Sequence, residues 1–292
     1  MTVYLILALS TLAATGKALF CKVIGVGGHS ERQALLLNCR AFFVAFACAL
    51  LFLLTDLGGT PSLSAFSLLL SLLFGFSVAA TQILQAKAMG SGPASLVTLI
   101  YSCGFLLPIF WGLVFWQEEV SLFQWLGIAL LPAVLALVIE RRGEGAHPRR
   151  WLLLALLAML GSGANAILQK THQHSAFAAE LPLFLACSLL FSAIFTGLAA
   201  LLVRERAQTP PVKARGAVWV PICLGVCVGA LNFLNLYLAG RLPSVIHFPV
   251  YNIGSLLLTS MLSALLYRDK PGKRQTAGFL VGIVAILIIG LL

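Results

Sequence analysis

The chain has 292 residues, of which 60% are hydrophobic and only 10% charged, too little polar surface to cover a water-soluble body of that size. Its net charge of +10 comes from 19 basic residues against 9 acidic ones. The basic residues are spread over short intervals between apolar runs, which excludes a nucleic-acid-binding face. What remains is an integral membrane protein with no interval long enough for a soluble domain.

Ten apolar segments are predicted, at 3–21, 34–54, 65–87, 93–116, 122–140, 151–170, 182–203, 217–238, 244–267 and 275–292. Each is about 18 to 24 residues long, enough for one helix through a ~30 Å hydrocarbon core. Their continuous apolarity predicts helices, because barrel strands alternate and are shorter. The first segment lacks a basic n-region and carries Lys17 inside the apolar run, so it is read as a helix and not a signal peptide. Lys17 and Arg40 lie within about two turns of the first basic loop and are expected to snorkel to it; an inward Lys17 would instead meet a carboxylate or phosphate. The seven cysteines lie in or at the edges of apolar segments and read as small packing residues.

Polar residues deep in apolar helices are candidates for a substrate site. The third segment carries Gln82 and Gln85, spaced i, i+3 on one face, and the fourth carries Tyr101. Asn165 and Gln169 lie in the sixth, Asn232 and Asn235 in the eighth, and Tyr251 and Asn252 in the ninth. Buried amides and tyrosines also join membrane helices by hydrogen bonds of about 0.6 to 2 kcal/mol, so each residue has a bland reading beside the functional one. His247, near the start of the ninth segment, is a candidate proton carrier, with a hydrogen-bonded helix-end histidine as the alternative. His172 and His174 in "THQHS" read as loop histidines without a third ligand, and no metal site is expected. Pro108, Pro132 and Pro249 are expected to weaken the backbone ladder inside their helices.

The stretch "GSGPASLVTLIYSCG" at 90–104 returns in outline as "GRLPSVIHFPVYNIG" at 240–254. Gly90, Pro93, Tyr101 and Gly104 each have an identical residue 150 positions on, and Gly75, Val78, Ala80 and Leu84 match Gly225, Val228, Ala230 and Leu234 at the same offset. The chain therefore reads as a duplication of five helices, with repeats at 1–145 and 146–292. An odd number of helices makes the second copy enter the membrane from the other side, so the fold class is an all-α membrane protein of ten helices in two inverted five-helix repeats. Gln82 and Gln85 then correspond to Asn232 and Asn235, Tyr101 to Tyr251, and Lys17 to Asn165.

Loop charges set an orientation. The loops after segments one, three, five, seven and nine hold most of the basic residues, including the cluster "RRGEGAHPRR" at 141–150, whereas the opposite loops hold Lys170 and Arg241. Retention of basic loops in the cytoplasm places both termini outside.

The five-plus-five layout, the junctions "AMGSGPASLVTLIY" and "LAGRLPSVIHFPVY", and the stretch "FWQEEVSLFQWLGIALLPAVLALVI" resemble the drug/metabolite transporter superfamily, EamA-type. The resemblance covers nearly the whole chain. It implies a ten-helix carrier of amino acids, other metabolites or drugs, in either direction. Glu119 stands where the first repeat of such proteins commonly has a glutamate, and the second repeat has Asp269. Family members more usually have cytoplasmic termini, contrary to the charge pattern here.

The expected function is secondary transport of a small organic metabolite, best an amino acid or similar zwitterion and including export, by alternating access around a midplane site. All nine acids fall in loops or at helix ends, so a permanently cationic substrate would lack a deep counter-charge. A carrier of quaternary ammonium compounds is the alternative within this class; a membrane-embedded enzyme or a lipid scramblase represents other classes. No catalytic residue, cofactor or metal is expected, an enzyme being disfavoured by the lack of acidic metal-binding motifs or a nucleophile with its base. The expected partners are a small-molecule substrate and the lipid bilayer, without nucleic acid, in a monomer or weak dimer. The expected location is the bacterial cytoplasmic membrane.

Overall fold

The computed structural model describes residues 2–26, 30–55, 62–91, 94–138, 150–203, 219–267 and 272–291. Among them the chain runs as α1 (Thr2–Val26), α2 (Glu31–Thr55), α3 (Ala65–Ser91), α4 (Ala94–Ser102), α5 (Leu106–Phe115), α6 (Leu122–Val138), α7 (Arg150–Gln173), α8 (Leu181–Leu202), α9 (Trp219–Ala239), α10 (Ser244–Tyr267) and α11 (Lys273–Leu291). Each of the ten apolar segments is helical, and α4 and α5 are the two halves of the fourth. A 3-10 turn, Cys103–Phe105, separates those halves. Pro108 explains the break, because it has no N–H to offer the Gly104 carbonyl one turn earlier. Pro132 and Pro249 lie inside continuous helices.

Seven helices are long and apolar enough to cross a membrane, and the apolar cores at Ile100–Phe115, Leu122–Leu137 and Thr276–Ile289 are shorter. These lengths are those of the described residues alone. The helices also extend past the apolar runs into polar residues. Lys170 and His172, expected in a loop, occupy the last turns of α7 and are fully buried, whereas His174 follows the helix and is exposed.

The helices are apolar outside and small or polar inside. On α3, Phe66, Leu69, Leu73 and Phe76 are exposed, whereas Ser67, Leu70, Ser71 and Phe74 are buried. On α7, Leu153, Leu156, Leu157 and Leu160 face out, while Ala155 and Ala158 are buried. Such a pattern suits lipid, where burying leucine between helices gains nothing and close packing of small residues holds them together. Local chemistry fixes the helix starts. Ser30 and Gln33 exchange side-chain to backbone hydrogen bonds at 3.2 Å each at the start of α2, and Ser121 and Gln124 do so at 3.0 and 3.2 Å at the start of α6.

The chain divides into two compact units, one of Met1–Thr11, Ala80–Ile167 and Arg241–Leu292, the other of Leu12–Ala79 and Leu168–Gly240. Each takes pieces of both sequence halves. In the first unit Phe105, Ile109, Leu131, Leu135, Phe248 and Ile289 belong to one apolar cluster. Within it α6 and α11 run antiparallel: Gly127 packs on Ile289 and Gly282 on Val134. In the second unit Ala41, Phe42, Phe74, Phe184, Leu189 and Leu236 form the core.

Two pairs of glycines 150 positions apart make similar close contacts. A Cβ added to Gly75 would stand 2.6 Å from Phe191 Cβ, and one added to Gly225 would stand 2.5 Å from Ala41 O. Both contacts lie in the second unit, and residues 41 and 191 are themselves 150 positions apart. In the first unit a Cβ at Gly104 would stand 2.8 Å from Met159 O, and one at Gly254 would stand 3.0 Å from Thr11 Cγ2. The cysteines serve the same packing: Gly16 faces Cys227 Sγ, Gly197 faces Cys39 Sγ, and the Cys39 thiol donates to Ala193 O at 3.3 Å.

Candidate functional site

The first unit holds Gln82, Gln85, Tyr101, Asn165, His247, Tyr251 and Asn252; the second holds Lys17, Asn232 and Asn235. Their surroundings separate them further.

In the first unit α3 packs on α7. Gly161 on α7 lies directly against the Thr81 hydroxyl, and Ala88 and Ala155 share a small apolar cluster seven residues up α3 and six residues down α7. The two helices therefore pass antiparallel. Asn165 lies one turn beyond Gly161 on the same face, and Gln82 adjoins Thr81. Three oxygens on these stretches of α3 and α7, Thr81 Oγ1, Gln82 Oε1 and Asn165 Oδ1, are buried and have no hydrogen-bond partner. Such acceptors cost about 1–3 kcal/mol each when left unmet. Burying three within about a turn of one contact calls for a donor.

α4 packs on the same stretch of α7. Val97 shares the cluster with Ala155, and Gly104 sits on Met159 O and Ser162. Tyr101 lies one turn beyond Val97 on α4, half-buried. Thr81, Gln82, Tyr101 and Asn165 thus come from three helices gathered on residues 155–165. Ala166, next to Asn165, packs against the cluster that includes Phe105 and Phe248.

The other first-unit candidates lie on α10. His247 is fully buried, stacked on Phe248 with ring centroids 4.5 Å apart and 6.4 Å from the Tyr251 ring. Tyr251 lies one turn before Gly254, where α10 meets α1. Asn252 donates to the Phe248 carbonyl at 2.8 Å, one turn back in its own helix. Gln85 is half-buried, one turn above Gln82.

In the second unit Asn232 is engaged in joining helices. It accepts from Gln169 Nε2 at 3.2 Å and donates to Val228 O at 2.9 Å. Asn235 is buried and Lys17 half-buried. The same unit contains a polar chain that sequence reasoning missed, Glu180–Ser64–Ser67–His172. Glu180 accepts from Ser64 N at 3.1 and 3.0 Å and from Ser64 Oγ at 2.8 Å, and Ser67 Oγ is 3.3 Å from His172 Nε2. His172 Nδ1 is 3.1 Å from Gln173 Nε2, and its ring stacks on Phe184 at 4.0 Å. Both ring nitrogens are therefore occupied by neutral groups. Among the described residues no cluster of three metal-ligating side chains occurs. Thr81, too, was missed: a threonine in an apolar helix gives no signal, and only its neighbour Gln82 pointed to the seam.

Residues 149–291 match the profile of the EamA-like transporter family. Among solved structures, a crystal structure described only as that of a protein superposes with a TM-score of 0.79 at 14% identity, covering 98% of this chain and 96% of the other. At that identity the likeness is one of fold. No curated protein matches the chain.

Proposed function

We propose, on the match of residues 149–291 to the EamA-like transporter family, that the chain is a secondary carrier of an amino acid or similar zwitterion. It works by alternating access in the bacterial cytoplasmic membrane, as a monomer or weak dimer. The matched glycine contacts, Gly75 with Phe191 and Gly225 with Ala41, favour the inverted repeat on which that mechanism rests. The substrate site is assigned to the α3–α4–α7 seam of the first unit, with Gln82 and Tyr101 from one repeat and Asn165 from the other.

The observation that carries the substrate class is the set of unpartnered oxygens on Thr81, Gln82 and Asn165. An acceptor is satisfied by an N–H or O–H donor. A primary ammonium brings three such donors, whereas a quaternary ammonium brings none. The seam therefore favours an amino compound over the quaternary alternative. Each side-chain amide also has two N–H donors, so Gln82 and Asn165 are equipped to meet a carboxylate as well.

The test is binding followed by uptake. Neutral amino acids should raise the melting temperature of the purified protein and show saturable, mutually competing uptake into proteoliposomes. Gln82→Leu and Asn165→Leu should each weaken the ligand about tenfold, equivalent to 1.4 kcal/mol, without lowering the melting temperature of the free protein. Tight binding of tetramethylammonium with no response to amino acids would overturn the assignment. Flux that never saturates would point to a pore or scramblase.

A further inference from the structure

We infer that His172 is a proton-relay site, joined to Glu180 by a wire of two serine hydroxyls. The four groups lie in the second unit and follow one another at hydrogen-bond distance. Glu180 Oε2 is 2.8 Å from Ser64 Oγ, Ser64 Oγ is 3.1 Å from Ser67 Oγ, and Ser67 Oγ is 3.3 Å from His172 Nε2. His172 and Ser67 are both 0% exposed, whereas Glu180 is half-buried in the short turn leading into α8. A fully buried imidazole is thus connected to a helix-end carboxylate through side chains that can each donate and accept.

A helix cap alone does not account for this arrangement. Ser64 Oγ accepts from Ser67 N at 3.1 Å, which already caps α3, and Glu180 already meets the Ser64 N–H. The link from Ser67 Oγ to His172 adds nothing to the cap. An apolar side chain stacked on Phe184 would fill the same space without bringing a titratable group into the interior.

The transfer balances over the four groups. With Glu180 protonated, its O–H donates to Ser64 Oγ, Ser64 donates to Ser67 Oγ, and Ser67 donates to the Nε2 lone pair. A concerted shift breaks the Glu180 O–H bond and forms an Nε2–H bond, each serine giving up one proton and gaining another. The products are a carboxylate and an imidazolium, and the reverse shift restores the start. On the far side of the ring, the Gln173 amide presents an N–H to Nδ1, or its oxygen after a half-turn, so it suits either state. Glu180 is the ionisable group tied to this ring by the chain of hydrogen bonds. Along its own helix the nearest charged group is Lys170, and His174 follows the helix end; α3 and α8 bring Ser67 and Phe184, and Tyr237 lies in the last turn of α9, three residues before Gly240, which faces Gln173.

In the carrier reading, on which this role rests but the wire itself does not, the proton is the coupling ion. The experiment is water exchange of the His172 ring N–H by NMR, in full-length protein labelled with ¹⁵N-histidine and held in lipid nanodiscs. Ser67→Ala interrupts the wire, and Glu180→Gln keeps the carboxylate's shape while removing its proton chemistry. Both should slow exchange at His172 by tenfold or more. Ser67→Thr, which restores the hydroxyl, should leave it fast. The other four of the five histidines report folding, and Glu180→Gln stands by itself if Ser67→Ala misfolds. Unchanged exchange in Glu180→Gln would overturn the relay and leave a helix cap. Fast, wire-dependent exchange in a protein with no amino-acid uptake would keep the relay and remove the coupling.

Discussion

Gly161 has no side chain because the Thr81 hydroxyl occupies the place of its Cβ. Gly161→Ala should therefore force the α3–α7 seam apart, at a cost of about 1–3 kcal/mol typical of overpacking. Thr81→Ala removes the obstructing oxygen, which has no hydrogen-bond partner to lose, so the double variant should recover most of the loss. Melting curves of the four proteins form the cycle, and equal losses with and without Thr81 would show that the contact does not matter. Residue by residue, sequence was a partial guide to this seam. Gln82 and Asn165 stood out because amides are rare in apolar helices, but their fellow candidate Asn232 is taken up by Gln169 and Val228. Nothing local distinguishes an amide that joins helices from one left with an open acceptor. That difference depends on which neighbour three-dimensional packing supplies.

Among helices, a carboxylate just past the end of α5 meets the start of α10. Glu118 Oε2 accepts from Ser244 N at 2.7 Å, where the unpaired N–H groups of a helix start favour negative charge. The turn that delivers it passes through Gln117 at φ 51, and Glu118 N donates back to Gly112 O at 3.1 Å. Gly112 leaves the space: a Cβ there would stand 2.5 Å from the carboxylate and 2.9 Å from Ser244 Oγ. Glu118→Gln should lower stability by about 0.5–2 kcal/mol, the scale of a lost charged cap, and Gly112→Ala should lower it further by displacing the carboxylate. Thermal denaturation in detergent checks the order. The family resemblance pointed to Glu119, which is exposed; from sequence, two adjacent glutamates in a turn are indistinguishable until the turn's left-handed residue fixes which one points inward. Existence and order of the helices were far more legible, since each needs only a membrane's thickness of apolar residues and every one of the ten runs is helical.

For the whole molecule, the loop charges set an expected orientation. The arginine cluster at 141–150 lies, except for Arg150, outside the described residues, so the expectation rests on retention of basic loops in the cytoplasm. In a background lacking the seven native cysteines, a cysteine at position 145 should stay unlabelled by an impermeant thiol reagent in intact cells. Ready labelling would reverse the orientation, and with it the compartment that Glu180 faces. In the sequence, glycines and a tyrosine recurring at one offset carry the expectation of a repeat. The two compact units were not legible there, because each collects pieces of both sequence halves through contacts between residues far apart in the chain.

The 3-10 turn at Cys103–Phe105 has a geometric consequence for the fourth segment. Each 3-10 residue advances about 120° around the axis instead of about 100°, so three of them overwind the rod by about 60°. A helical wheel drawn straight through from Val97 to Gly112 is out of phase beyond the turn, by more than half a residue's step. Spin labels or cysteines scanned along 94–115 should show two accessibility periodicities that fail to join at 103–105. Any register for Tyr101 must be taken from the residues before that dislocation, and any register for Gly112 and its carboxylate from those after it.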